Sequence, residues 1–395
     1  MISRAIFFAA FLLPSAFLAP AQDKPAPAPV KPAPLLPPEG FNDGQGFVLP
    51  GKDWTHVTPE SEGFSTPRLE ALRAFLKTHQ TDAMMVVFRG KVVFEYGDTA
   101  VVSNLASARK SVLDLLYAVE AQHGLNISEA LGKSVVELGL EDKAKTPFQE
   151  IEKHAVLEQL LTSRSGIYLP SGNADQAKII PPRGSHYPGS YYFYNNWDFD
   201  SAGMAFETLT HKDIRDALRD DLAIPLSFQD FDRSRQEENP YTDSNHHGFK
   251  LELSTRDMAR LGLFALRSGQ WGKTTWAMPD VIQGSTFPIT HFNEIGDWYW
   301  SAGWTGRWGY GMLWWAWDAP KYPGDVMTAP YQGAFSAMGS GGQFITVFPM
   351  LDIVVTHKVN IDKDYARTVS GPTYMTILDM VIDAQCNATP ETPCK

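Results

Sequence analysis

Ser107 and Lys110 stand three residues apart in LASARKSVLDLLYA, residues 105–118, where an apolar helical run begins. If Ser107 opens that helix, Lys110 lies on the same face one turn on. A serine hydroxyl is a poor nucleophile until a neighbouring base takes its proton. A lysine serves as that base when desolvation or nearby positive charge brings its pKa toward the working pH. The helix start adds backbone N–H donors and positive potential, suited to the oxyanion of an acyl-transfer intermediate. The same spacing also describes a polar helix start with a surface lysine, so the rest of the chain has to decide.

Two further segments bear on the choice. YYFYNNWDFD, residues 191–200, carries Tyr194 and Asn196 in a polar and aromatic loop. A phenol can shuttle the serine proton, and an amide can orient the lysine or hold a substrate carbonyl. AMGSGGQFITVFP, residues 337–349, sets the Gly-rich turn Ser340, Gly341, Gly342, Gln343 directly before a strand, where bare backbone lets a substrate lie against the edge. Other motifs are decoys. WGKTT at 271–275 imitates the end of a phosphate loop, but Arg267 stands where its first glycine belongs. His246-His247 has no i+4 partner or cysteine and reads as a polar loop, so neither a metal nor an organic cofactor is expected. Met338 two residues before Ser340 rules out the G-x-S-x-G elbow.

The elements that must position these residues follow from patterning. STPRLEALRAFLKTHQ (65–80) predicts a helix capped by Ser65 or Thr66, with Leu69, Leu72 and Leu76 on one face. AMMVVFRGKVVFEYG (83–97) predicts a hairpin turning at Arg89-Gly90. The Ser107 helix ends at Gly124, and residues from about 125 to 300 read as helix and loop, with a helix running into a loop over 154–167 and a helix over 254–270. Strands return at 309–318, 342–349 and 352–360, before a final amphipathic helix at 373–385. Strands at both ends with helices between predict one sheet built from the two ends of the chain, with a helical region inserted.

Composition sets outer bounds. Hydrophobic residues are 44% and charged residues 20%, ordinary for a globular enzyme, and the net charge of −11 with no Lys/Arg cluster argues against nucleic acid as a partner. Arg4, the apolar run AIFFAAFLLPSAFL and APA at 19–21 read as a signal peptide over residues 1–21, followed by a Pro/Ala-rich linker over 22–38 and a folded part over 40–395. The apolar run is shorter than the ~20 residues of a spanning helix, so the mature chain is expected to be periplasmic or secreted without a transmembrane segment. Cys386 and Cys394 are expected to close a small disulfide loop there. In the aromatic segment 297–318, Trp314 and Trp315 read as strand core, whereas Trp298, Trp300, Trp304 and Trp308, lying among Gly and Ser, read as the rim of a cleft.

Taken in order, these segments resemble the beta-lactamase-related serine hydrolases, a family that includes penicillin-binding-protein-like enzymes, class C beta-lactamases and related esterases and amide hydrolases. The likeness covers most of residues 55–385 and rests on SARKS (107–111), LLTSRSGI (160–167), FYNNWDFD (193–200), STRDMARLG (254–262), GYGMLWW (309–315) and the Gly339–Gln343 turn. It implies an α/β (α+β) fold: an antiparallel sheet from both chain ends, flanked by helices, with a mainly helical insertion at about 125–300. It also implies that Ser107 is the acylated nucleophile and Lys110 its base. Tyr194 would relay the proton to the leaving group and later activate water, and Asn196 would fix the lysine and the substrate. One oxyanion donor would be the Ser107 N–H, the other an N–H on the strand near Gln343. Many relatives carry Lys or His, then a residue, then Gly at the third motif. Here the aligned triplet is Ser340-Gly341-Gly342, without a cation, and Arg164 or Arg307 are the substitutes to look for. The resemblance thus points to esterase or amidase chemistry on a small, less anionic ester, amide or peptide-like substrate. The alternatives are a true beta-lactamase or D-Ala-D-Ala carboxypeptidase, and a catalytically silent module that binds cell-envelope ligands.

Overall fold

The computed structural model describes residues 48–141, 146–171, 180–239, 246–295, 308–318, 329–364 and 366–386. The leader, the Pro/Ala linker, Trp298, Trp300, Trp304, Arg307 and Cys394 lie outside these residues.

The hairpin predicted at 83–97 forms from Ala83–Phe88 and Lys91–Gly97. Arg89 at φ 51° and Gly90 at φ 78° make the tight turn between them, a geometry that suits the right-handed twist of the flanking strands. In chain order the strands of the main sheet are β1 (Thr55–His56), β2 (Ala83–Phe88), β3 (Lys91–Gly97), β4 (Trp308–Tyr310), β5 (Trp315–Trp317), β6 (Phe335–Gly339), β7 (Gln343–Phe348) and β8 (Ile353–Lys358). They lie in the order β1-β3-β2-β8-β7-β6-β5-β4. The two ends of the chain meet where β2 pairs antiparallel with β8, from Ala83↔Lys358 to Phe88↔Ile353.

Three details differ from the sequence expectation. The sheet is not wholly antiparallel, because the edge strand β1 runs parallel to β3. Residues 309–318 form two short antiparallel strands rather than one, since the chain turns at Gly311–Trp314 with Leu313 at φ 60°. Trp308 then faces the core at 2% exposed and packs edge-on to Trp317, so it rims no cleft.

Helices cover both faces of the sheet. The principal ones are α1 (Thr66–Lys77), α2 (Arg109–Gln122), α3 (Asn196–Thr210), α4 (Thr255–Leu266) and α5 (Gly371–Ala384). Successive residues of β7 show the two sides, as the period of two requires. Ile345 meets α4 at Gly262, while Phe344 stacks on Tyr374 of α5 with centroids 3.8 Å apart and Thr346 shares a hydrogen bond with the Tyr374 hydroxyl. In α4, Ser254 caps the helix by accepting from the Asp257 N–H, and Met258, Leu261, Leu263 and Phe264 are fully buried. The region between β3 and β4 holds α2 to α4, with short two-stranded ladders such as Ser103–Asn104 against Glu252–Leu253. Cys386 is disulfide-bonded, and its N–H donates to Gly63 O. No described helix is long and apolar enough to cross a membrane.

Candidate active site

Ser107 sits in a 3-10 turn, Ala106–Ala108, between the short strand Ser103–Asn104 and α2. The turn begins with Ala106 at φ 46°, an uncommon conformation for a residue with a side chain. Both polar groups of its backbone are held: its N–H donates to Asn104 Oδ1 at 2.8 Å, and its carbonyl accepts from Arg109 Nη1 at 3.2 Å. Ser107 is left half-buried and reachable, while Lys110 is 1% exposed.

Lys110 Nζ is the hub. It stands 3.0 Å from Ser107 Oγ, 2.8 Å from the Tyr194 hydroxyl and 2.8 Å from Asn196 Oδ1. The rings of Tyr194 and Phe199 lie with their centroids 4.2 Å from the same nitrogen. Four residues singled out by type and spacing thus meet at one point. Asn196 belongs to α3 as its first residue, whereas the sequence pattern leaves it in a loop; Asn195 is the cap, accepting from the Trp197 N–H.

Tyr194 is aimed by the segment 160–167. Ser163, at φ 56°, donates from its hydroxyl to Phe193 O and accepts from the Asn195 N–H, clamping the backbone on either side of the phenol. Ser165 Oγ bonds Asp198 Oδ1 and so ties the same segment to α3. Around the ring, Trp315 stacks at 5.6 Å with planes 24° apart, and Tyr310 approaches edge-on at 5.9 Å. The hairpin carrying both is bolted to α2: Ser111 Oγ donates to Leu313 O, and Trp314 Nε1 donates to Asp114 Oδ2. Burial pushes the Tyr194 phenol up to about 12, against the opposing pull of its hydrogen bond with Ser107 and the positive charge of Arg109.

The Gly-rich turn falls differently. Ser340, Gly341 and Gly342 form the tip of the β6–β7 hairpin, and Gln343 opens β7, an interior strand paired on both sides. The Gln343 side chain is fully buried and donates from Nε2 to Val359 O. Gly341 O accepts from the Val369 N–H, and Gly342 O accepts from the buried His357 Nδ1. These contacts anchor the tip to residues 357–369. The strand that runs past Ser107 is instead β6, whose Gly339 approaches Leu105 O and the Ala108 N–H. Small residues and the lack of β-branching in FSAMG hide β6 from the sequence pattern.

No cation stands on β6. Arg164 does not supply one either, since its guanidinium donates to Gly189 O and Thr290 Oγ1 and faces Glu294. His246 is buried, with Nε2 donating to Leu140 O. Glu120, His123 and Asp221 could together hold a metal ion, but Lys212 Nζ already bridges the two carboxylates, and the group lies at the end of α2 away from Ser107.

The fold agrees with what the chain matches. Among curated proteins none matches. Solved structures share the fold at low identity. A Bacillus anthracis protein provisionally named a 6-aminohexanoate-dimer hydrolase has 18% identity and a TM-score of 0.56, covering 87% of this chain and 88% of that one. A penicillin-binding protein homolog from Caulobacter crescentus has 14% identity and a TM-score of 0.55, over 82% and 99%. Simvastatin synthase from Aspergillus terreus, a variant form, has 15% identity and a TM-score of 0.56, over 79% and 91%. The Beta-lactamase family profile matches residues 70–377, from within α1 into α5 and across every residue of the Lys110 hub, and the chain therefore belongs to that family of serine hydrolases.

Proposed function

We propose that the protein is an exported serine hydrolase that cleaves a small ester or amide through an acyl-enzyme on Ser107. The observation that carries this reading is the convergence of Ser107, Tyr194 and Asn196 on one buried Lys110 nitrogen. In the base form of Lys110 the nitrogen lone pair takes the Ser107 proton as Oγ attacks the substrate carbonyl. The Tyr194 hydroxyl, bonded to the same nitrogen, passes a proton to the departing alcohol or amine. In the second half the same pair takes a proton from water, whose oxygen attacks the acyl carbonyl, and Ser107 recovers its hydrogen. The Ser107 N–H offers one oxyanion donor. The second comes from the edge of β6. Trp317 N–H donates to Ala334 O, and the β5 register ends at Trp315↔Ser336, so the next peptide on that edge, at Met338, faces the nucleophile side beyond β5.

The cation-free β6 supports ester or amide substrates that lack a carboxylate next to the scissile bond. Export is supported by the charged, apolar and small-residue order of residues 1–21 and by the disulfide at Cys386, a bond that persists in oxidising compartments.

The test is intact-mass analysis after incubation with p-nitrophenyl esters, beta-lactams and a fluorophosphonate, wild type beside Ser107→Ala. One adduct per chain with ester and fluorophosphonate, absent from Ser107→Ala, is the expected result. No Ser107-dependent adduct would replace this reading with a ligand-binding module, and fast beta-lactam turnover would replace it with a true beta-lactamase.

A further inference from the structure

We propose that Arg109 and Asp200 form a positioning pair that locks the turn presenting Ser107 and sets the pH at which the Lys110–Tyr194 group releases a proton; this rests on the acyl-enzyme reading above. Arg109 precedes Lys110 in sequence, yet its guanidinium turns back on the chain. Nη1 holds the carbonyl of Ala106, the left-handed residue immediately before the nucleophile. A non-glycine residue in that conformation is strained and persists only where its surroundings over-determine it. Nη2 faces Asp200 Oδ1 at 3.5 Å, with Asp200 fully buried and Phe249 5.2 Å from the guanidinium carbon.

Asp200 lies one helical turn beyond Asn196 on α3. Two neighbouring residues of α2 therefore meet two residues of α3 on one face: Lys110 with Asn196, and Arg109 with Asp200. The double contact fixes how α3 is rotated against α2. It also fixes where the segment leading into α3 places the Tyr194 hydroxyl.

The pair is an ion pair without a close hydrogen bond, and Arg109 Nε and Nη2 have no hydrogen-bond partner. Its positive charge is thus incompletely cancelled at the site. Among the described residues, other ionisable groups on the elements that build the hub include Asp114 on α2, Asp198 on α3 and Tyr310 on β4, whose ring lies 5.9 Å from that of Tyr194. Asp114 is engaged by Ser285 and Trp314, and Asp198 by Ser165 and Asn195; burial raises both carboxyls, which favours their uncharged forms. Arg109 is the positive charge felt by Tyr194, and Asp200 is the carboxylate opposed to it in the pair. A positive neighbour disfavours an ammonium and favours a phenolate, so it moves proton release to lower pH for either group.

The experiment is the rate of fluorophosphonate labelling of the full chain from about pH 5 to 10, for wild type, Arg109→Gln, Asp200→Asn, Arg109→Lys and the double variant Arg109→Gln/Asp200→Asn. Arg109→Gln is expected to move the midpoint of the rising limb up by at least about 0.5 unit, and Asp200→Asn down by a similar amount. Arg109→Lys keeps the charge but not the fork, so its midpoint stays while its rate falls several-fold. Arg109→Gln strands a buried carboxylate and can fail to fold; Asp200→Asn then decides alone, and the double variant, with neither charge, is expected near the wild-type midpoint. Shifts of the same sign in both single variants, or an unmoved midpoint in Asp200→Asn, overturn the inference while leaving Ser107 labelling intact. Absence of Ser107 labelling in wild type overturns instead the reading on which it rests.

Discussion

Gly339 packs so tightly on the turn that holds Ser107 that a β-carbon there would stand 2.4 Å from the Leu105 carbonyl oxygen. It would also stand 3.0 Å from the Ala108 nitrogen. Neither neighbour is the end of a flexible side chain, so β6 and the Ser107 turn would have to part. Gly339→Ala is expected to slow Ser107 labelling at least tenfold with an unchanged far-UV spectrum. Wild-type labelling in this variant would show that β6 does not set the geometry of Ser107.

In the proposed mechanism Lys110 and Tyr194 act on one proton path, so their removal should not be additive. Lys110→Ala is expected to lose about a thousandfold or more in acylation, and Tyr194→Phe roughly a hundred- to ten-thousandfold. The double variant should be scarcely slower than Lys110→Ala alone. Stopped-flow measurement of p-nitrophenol release resolves the three. Strictly additive losses would place the two residues on separate steps.

Asp114 carries a signature in stability. Burial raises its carboxyl from the usual value of about 4 to about 7, and the bonds from Ser285 and Trp314 offset this only partly. Between these two pH values the folded chain keeps a proton that the unfolded chain has released. The contribution is therefore complete below about pH 4 and is lost as the pH rises toward 7. Asp114→Asn does not titrate, so its Tm relative to wild type should climb from pH 4.5 to 7.5 in calorimetric scans. A flat or falling difference would mean that Asp114 is ionised throughout.

The strand beside Ser107 presents Phe335, Ser336, Ala337, Met338 and Gly339, with no ammonium or imidazole. Short-chain p-nitrophenyl esters should therefore acylate the enzyme at least ten times faster than nitrocefin under matched conditions. The reverse order would overturn the reading that the substrate lacks a carboxylate beside the scissile bond.

How much of this was legible beforehand depended on distance along the chain. Ser107 and Lys110 are a local pair, and Tyr194 and Asn196 share one segment, so type and spacing suffice to nominate them. The hairpin at Arg89-Gly90 and the cap at Ser254 are equally local. Arg109 and Asp200 carry no such signal, because each looks like an ordinary surface charge until α2 and α3 are packed together. β6 was hidden for a different reason. Its small residues lack the alternation that marks a half-buried strand, and without it Gln343 looks like the edge of the site instead of an interior residue. The Gly and Ser around Trp308 suggest a loop, whereas its pairing with β5 turns it into the core.

The ladder between β2 and β8 has a bearing on biogenesis. Ala83 cannot find Lys358 until all the chain between them has left the ribosome, and so distant a pairing zips slowly. If the chain is exported as proposed, that delay is useful, because the middle of the sheet stays open and the precursor remains threadable until it has crossed the membrane.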